Sequence, residues 1–143
     1  VDADRAVEIS GTVDRLEKDS EGRLFVVDLK TGKTPPSNAD VARNPQLGVY
    51  QVAAEEGGFA KVAGSSEAGG AALAQLGASG AKLKVQEQPA LSAQEEPWAR
   101  NLLATVANGM AAENFPARSN GMCRVCPVRR SCPMQIEGRG VGE

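Results

Sequence analysis

Apolar and polar positions are patterned most clearly in two runs near the start of the chain. From Val7 to Glu17, Ile9, Val13 and Leu16 stand among polar residues, as expected of a strand with one face buried. Farther on, the β-branched pair Val26-Val27 reads as a buried strand that leads directly into Asp28-Leu29-Lys30-Thr31-Gly32-Lys33. The intervening Asp19-Ser20-Glu21-Gly22-Arg23 has hairpin-turn chemistry. If the turn pivots on Glu21, Asp14 faces Asp28 across the pair. Asp28 and Lys30, two positions apart on a strand, then share one face.

Thr31 to Arg43, with Gly32, Pro35, Pro36, Ser37 and Asn38, reads as a loop. Asn44-Pro45 supplies an N-cap and a first-turn proline, predicting a helix through Gln46, Tyr50 and Ala54 to Gly57-Gly58. Its apolar side is expected at Val49, Val52 and Ala53, while Gln46 and Tyr50, four apart, share another face. Residues 57–70, rich in Gly, Ala and Ser, read as a flexible connection. Two more strands are expected, Ala71–Leu76 and Leu83–Gln88, joined around Gly77 to Gly80, with Lys82, Lys84 and Gln86 alternating against Leu83 and Val85. Ser92-Ala93-Gln94-Glu95 matches a capping box and predicts a helix to about Glu113, whose Trp98, Leu102, Val106 and Met110 form a stripe expected to pack on the sheet.

With 143 residues, 41% of them hydrophobic and 24% charged, the chain suffices for one compact domain and is too short for two large ones. No apolar run is long enough to span a bilayer and no signal-peptide pattern is present, so a cytoplasmic location is the expectation. The first residue is Val1 rather than Met, which suggests a fragment of something longer. The net charge of -2 is unevenly spread. From Phe115 onward, Arg118, Arg124, Arg129, Arg130 and Arg139 against Glu137 and Glu143 give +3, leaving -5 for the remainder. A basic end suits a phosphate backbone and is equally compatible with a solvated tail. The chain has no histidine, which excludes Ser/His and Cys/His catalysis and His-ligated zinc within it.

Carboxylates placed directly opposite each other repel unless a cation sits between them. Either aspartate alone could be a surface residue beside a turn. Together, facing each other with a lysine two positions on, they favour a divalent metal. Asp14, Asp28 and the Leu29 carbonyl would hold Mg²⁺ or Mn²⁺, hard cations that prefer oxygen. Lys30 would orient or deprotonate an attacking water and offset charge building on phosphorus. At the other end, Cys123, Cys126 and Cys132 follow the spacing C-x2-C-x5-C, two of them preceding proline. Convergent thiolates from a short loop suit a metal centre, and three are one too few for a closed site.

Gly11-Thr12-Val13-Asp14-Arg15, Val27-Asp28-Leu29-Lys30-Thr31-Gly32 and Gln46-Leu47-Gly48-Val49-Tyr50-Gln51 resemble the successive motifs of the RecB-like branch of the PD-(D/E)xK nuclease superfamily. The cysteine tail is similar to the C-terminal part of the iron–sulfur staple in the subset that includes bacterial helicase–nuclease subunits and the CRISPR-associated Cas4 nucleases. The resemblance spans Gly11 to Cys132. It implies an α/β, restriction-endonuclease-like mixed central sheet flanked by helices, with a C-terminal cysteine-rich loop. On this resemblance residues 1–116 form a nuclease core lacking its N-terminal helix, 117–134 an iron–sulfur loop and 135–143 a tail.

The implied activity is metal-dependent hydrolysis of DNA, by a helicase–nuclease that processes ends in double-strand-break repair. In that resemblance Asp14 and Asp28 bind metal, Lys30 serves the water, and Gln46 and Tyr50 match a QxxxY motif near the active site and the DNA. Cys123, Cys126 and Cys132 would ligate a [4Fe-4S] cluster whose fourth cysteine lies upstream, and a second helicase–nuclease subunit is the implied partner besides DNA. The chain departs from the pattern in having Val13 in place of proline, no upstream histidine and no fourth cysteine. The other readings are a Cas4-like stand-alone exonuclease, a nuclease-like module that only binds DNA, and cysteines that hold zinc or stay free.

Overall fold

The computed structural model describes residues 8–77, 83–112 and 115–138. Val7, the turn residues 78–80, Lys82, Glu113, Arg139 and the end of the expected tail lie outside them. The chain is a mixed α/β protein in which a four-stranded sheet is flanked by helices, as in the restriction-endonuclease-like fold. It falls into two compact units, one up to Ala107 and the other from Asn108 on.

The first unit begins with β1 (Arg15–Lys18) and β2 (Leu24–Lys30), an antiparallel hairpin in the expected register, with Arg15 opposite Val27 and Lys18 opposite Leu24. Asp19 closes the turn. Its carboxylate accepts from the backbone N–H of Glu21 and Arg23 and pairs with Arg23 Nε at 2.8 Å, while Gly22 takes φ +81°. β1 is much shorter than the expected strand from Val7 to Glu17. The chain bends at Asp14, whose Oδ2 accepts the Leu29 N–H at 2.8 Å, so a side chain stands in for the next backbone rung and the ladder stops.

The crossover from β2 to the parallel strand β3 (Ala68–Gln75) contains three helices, where the sequence predicts one helix between a loop and a flexible connection. The first, α1 (Asn38–Ala42), lies within the expected loop and is started by a capping box in which Ser37 and Asp40 exchange hydrogen bonds; its Val41 is fully buried. Next, α2 (Pro45–Glu55) begins as predicted, with the Asn44 side chain accepting from Leu47 N at 3.1 Å. The buried side of α2 is Leu47, Gly48, Gln51, Val52 and Ala54, rotated from the expected Val49, Val52 and Ala53 because the helix meets both β3 and the last helix. Within the expected flexible connection sit α3 (Ala60–Ala63) and the opening residues of β3.

β4 (Lys84–Pro89) completes the order β1-β2-β3-β4, antiparallel to β3 with Leu73 opposite Gln86 and Ala71 opposite Gln88. Its faces are the reverse of the expected alternation: Gln86 and Gln88 are buried, and Leu83 and Val85 are 58% and 49% exposed. The cause is hydrogen-bonding demand. Gln88 Nε2 donates to the Val41 and Asn44 carbonyls at 2.9 and 3.2 Å, and Gln86 Nε2 to Pro36 O and Asn38 Oδ1 at 3.0 and 2.7 Å. Buried carbonyls at the ends of a short helix require donors, which leucine and valine cannot supply.

The main core, Val26, Val41, Leu47, Ala71 and Leu73, lies between the helices and one sheet face. On the other face Phe25, Val27, Leu29, Ala72, Ala74, Leu76, Leu83 and Val85 line an open cavity of about 550 Å³. The last helix, α4 (Trp98–Ala111), starts after Pro97 rather than at the expected capping box, where Leu91–Ala93 forms a 3-10 turn. Proline disfavours helical geometry in the residue before it, so Glu96 cannot continue a helix from Ser92. Nor does the expected stripe pack on the sheet. Trp98 and Ala99 cluster with Val52 of α2, Leu102 is half-buried, and Val106 and Met110 are 50% and 69% exposed. Gly48 makes this packing possible, since a Cβ there would lie 2.6 Å from Trp98 Cη2. The second unit is a series of short 3-10 turns, Cys123–Val125, Arg129–Ser131 and Ile136–Gly138.

Candidate active site

The end of β2 and the start of α2 converge on a single line of polar contacts. Asp28 alternates with Val26 and Leu24 on the core side of β2 and is 3% exposed. Its neighbour on that face, Lys30, ends the strand and reaches back to place Nζ 2.7 Å from Asp28 Oδ2. The same Nζ donates to Gln46 Oε1 at 2.8 Å. Gln46 Nε2 in turn donates to Tyr50 OH at 2.8 Å, and Tyr50 OH donates to the Thr12 carbonyl at 3.3 Å. The i, i+4 spacing on α2 is what puts the glutamine and the tyrosine on one face. Asp14 joins from the other strand of the hairpin through the Leu29 N–H, while the Leu29 side chain points to the opposite sheet face and is 41% exposed.

Of the residues singled out in the sequence, Asp28, Lys30, Gln46 and Tyr50 thus form one line of contacts, and Asp14 meets the same strand at the Leu29 N–H. Cys123, Cys126 and Cys132 belong to the second unit. All three are half-buried free thiols at the ends of its 3-10 turns, and Cys123 Sγ accepts the Asn120 N–H at 3.2 Å.

Electrostatically the site is unbalanced at one atom. Asp28 Oδ2 is buried and has no hydrogen-bond donor among the described residues, although Lys30 Nζ lies within ion-pair distance. That contact supplies charge without the alignment of a hydrogen bond. A buried carboxylate oxygen without an aligned donor is costly, and the nearby ammonium offsets only part of that cost. A buried, hard carboxylate oxygen of this kind suits Mg²⁺ or Mn²⁺. Among the described residues no three His, Cys, Asp or Glu side chains gather closely enough to hold a metal. The three thiols accordingly do not converge on one point.

The profile of the PD-(D/E)XK nuclease superfamily matches residues 1–133. The chain belongs to the PD-(D/E)XK nuclease superfamily. Members of this superfamily are nucleases that act on DNA and typically use Mg²⁺ or Mn²⁺. No curated protein matches the chain. Among the described residues no helix is long and apolar enough to cross a membrane.

The sequence does not single out a set of buried glutamines on this side of the sheet. Gln75, Gln86 and Gln88 are 4%, 6% and 0% exposed on the sheet face that carries Asp28 and Lys30, and Gln51 of α2 donates to Gln88 Oε1 at 2.9 Å. Gln86 and Gln88 tie α1 and the loop before it to β4. Their signal in the sequence was the recurrence of glutamine at alternate positions of one strand.

Proposed function

We propose that this chain is the nuclease domain of a DNA end-processing enzyme, with Asp14, Asp28 and the Leu29 carbonyl holding Mg²⁺ or Mn²⁺. The observation that carries this reading is the buried Asp28 Oδ2, without a hydrogen-bond donor and beside an ammonium that Gln46 also grips. A divalent cation bound there supplies Lewis-acid polarisation of a phosphoryl oxygen and makes a bound water more acidic. Lys30 orients the attacking water and offsets charge developing on the phosphate. Gln46 holds Nζ in place, and Tyr50 holds Gln46 against the Thr12 carbonyl, so these two act through the lysine. Catalysis at such a site rests on positioning and on charge stabilisation.

The RecB-like motif order supports a helicase–nuclease that resects DNA ends in double-strand-break repair, working in the cytoplasm at the nucleoid with a second subunit. The C-x2-C-x5-C spacing supports a [4Fe-4S] cluster completed by a cysteine from elsewhere in the intact protein. Visible absorbance and iron content of anaerobically purified protein test the cluster; zinc without iron overturns it. For the catalytic reading, Asp28→Ala or Lys30→Ala in the intact protein abolishes Mg²⁺-dependent cleavage of DNA while the far-UV circular dichroism stays that of the wild type. Undiminished cleavage by both variants refutes the assignment, and a wild type that binds DNA without cutting it favours a pure binding module.

A further inference from the structure

Lys30 has to place one nitrogen against both Asp28 Oδ2 and Gln46 Oε1, 2.7 and 2.8 Å away, from the far end of a flexible side chain. It is also the last residue of β2. A small rotation of its backbone is amplified along the side chain, so the course of the chain just after Lys30 controls where the ammonium goes. Thr31, Gly32 and Lys33 are all exposed. Their anchorage comes from the end of β3. The Leu76 N–H donates to the Lys30 carbonyl at 2.7 Å, and a Cβ on Gly77 would collide with the carbonyl oxygens of Thr31 and Gly32. The remaining contact is Gln75, the register partner of Lys30 on the same sheet face, whose Nε2 donates to the Gly32 carbonyl.

Gln75 is 4% exposed, so its amide is buried to make this one bond. Leucine or methionine would fill the same space with no polar group to satisfy, and an exposed Gly32 carbonyl could bond to water instead. Stability alone therefore does not call for glutamine here. What the amide supplies is direction for the turn. We infer that Gln75 is a positioning residue for Lys30: by fixing the Thr31–Gly32 turn it aims the ammonium at Asp28 and Gln46. The inference rests on the nuclease reading above.

The test uses Gln75→Met, which keeps the volume, and Gln75→Glu, which keeps the shape but turns an acceptor toward the Gly32 carbonyl. In the intact protein each lowers kcat for DNA hydrolysis by about tenfold or more, with KM within about twofold, because misaiming a reacting group costs rate rather than affinity. Independently of activity, hydrogen exchange at the Leu76 amide, which bonds the Lys30 carbonyl, speeds up in both variants, while amides of the β2–β3 ladder keep their wild-type protection. Wild-type kcat in both variants, a loss confined to KM, or unchanged exchange at the Leu76 amide overturns the inference. If Gln75→Met unfolds, Gln75→Glu decides by the same measurements. A wild type that cleaves no DNA refutes the nuclease reading instead, and the exchange data still decide whether Gln75 holds the turn.

Discussion

Replacing Lys30 by methionine, which keeps the length of the side chain and removes its charge, tests the electrostatics of the site without any substrate. In the native chain Asp28 is 3% exposed, and its buried Oδ2 has the Lys30 ammonium at 2.7 Å and no hydrogen-bond donor among the described residues. Removing one partner of a fully buried ion pair costs about 3–5 kcal/mol. The Lys30 side chain is 39% exposed, so water already screens part of the attraction, and a loss of about 2 kcal/mol is the working figure. For a unit of this size that lowers the unfolding midpoint by about 8 °C. Thermal melts in the presence of a chelator measure it. Adding Mn²⁺ recovers much of the loss, since a cation at Asp28 replaces the missing charge. The double variant Lys30→Met/Asp28→Asn, with neither charge, melts above Lys30→Met alone, which gives the coupling directly. An unchanged midpoint for Lys30→Met in chelator refutes the premise that the lysine is the counter-charge of Asp28.

Gly48→Ala gains about 1 kcal/mol of helix propensity but drives a methyl to 2.6 Å from Trp98, and overpacking costs about 1–3 kcal/mol; urea titration should show a net loss that Trp98→Phe partly relieves. Gln88→Leu removes a side-chain donor from the Val41, Ala42 and Asn44 carbonyls, of which Val41 and Asn44 keep a backbone N–H, and should lower stability by about 1 kcal/mol, read from the urea midpoint. In the hairpin turn, burial raises the Asp19 carboxyl, but hydrogen bonds from the Arg23 side chain and from the Arg23 and Glu21 backbone outweigh it, leaving the group below its usual value of about 3.8. A depressed carboxyl stabilises the folded state above the unfolded-state value. Its contribution should therefore fade only as the pH falls from about 3.8 through the lowered value, and Asp19→Asn should flatten the acid limb of the stability profile there.

The hairpin could be read from sequence because turn chemistry and strand alternation are local, and a pivot at Glu21 fixes every pair from Arg15–Val27 to Lys18–Leu24. The meeting of Lys30 with Gln46 and Tyr50 was legible for another reason, namely motif order, which carries information that periodicity does not. Where the sequence misled, the deciding partner lay far along the chain. β4 buries its glutamines because the end of α1, more than forty residues earlier, needs donors. Its alternation of Leu83 and Val85 with polar residues is genuine, yet alternation alone does not say which face turns inward. The start of α4 was misplaced because a capping-box pattern at Ser92 was weighed without the local veto of Pro97. Gln75 left no trace at all, since its partner is a backbone carbonyl and no residue type signals that.

The bonds linking Lys30, Gln46, Tyr50 and Thr12 join stretches that leave the ribosome at different times. The hairpin emerges first, carrying both acids and the amine, and for a while it has no glutamine to grip that amine. Only after the crossover helix has docked does the set become complete. On the proposed assignment, a nascent or misfolded copy thus holds the ingredients in disarray, and cutting of nucleic acid waits until the tertiary structure has closed.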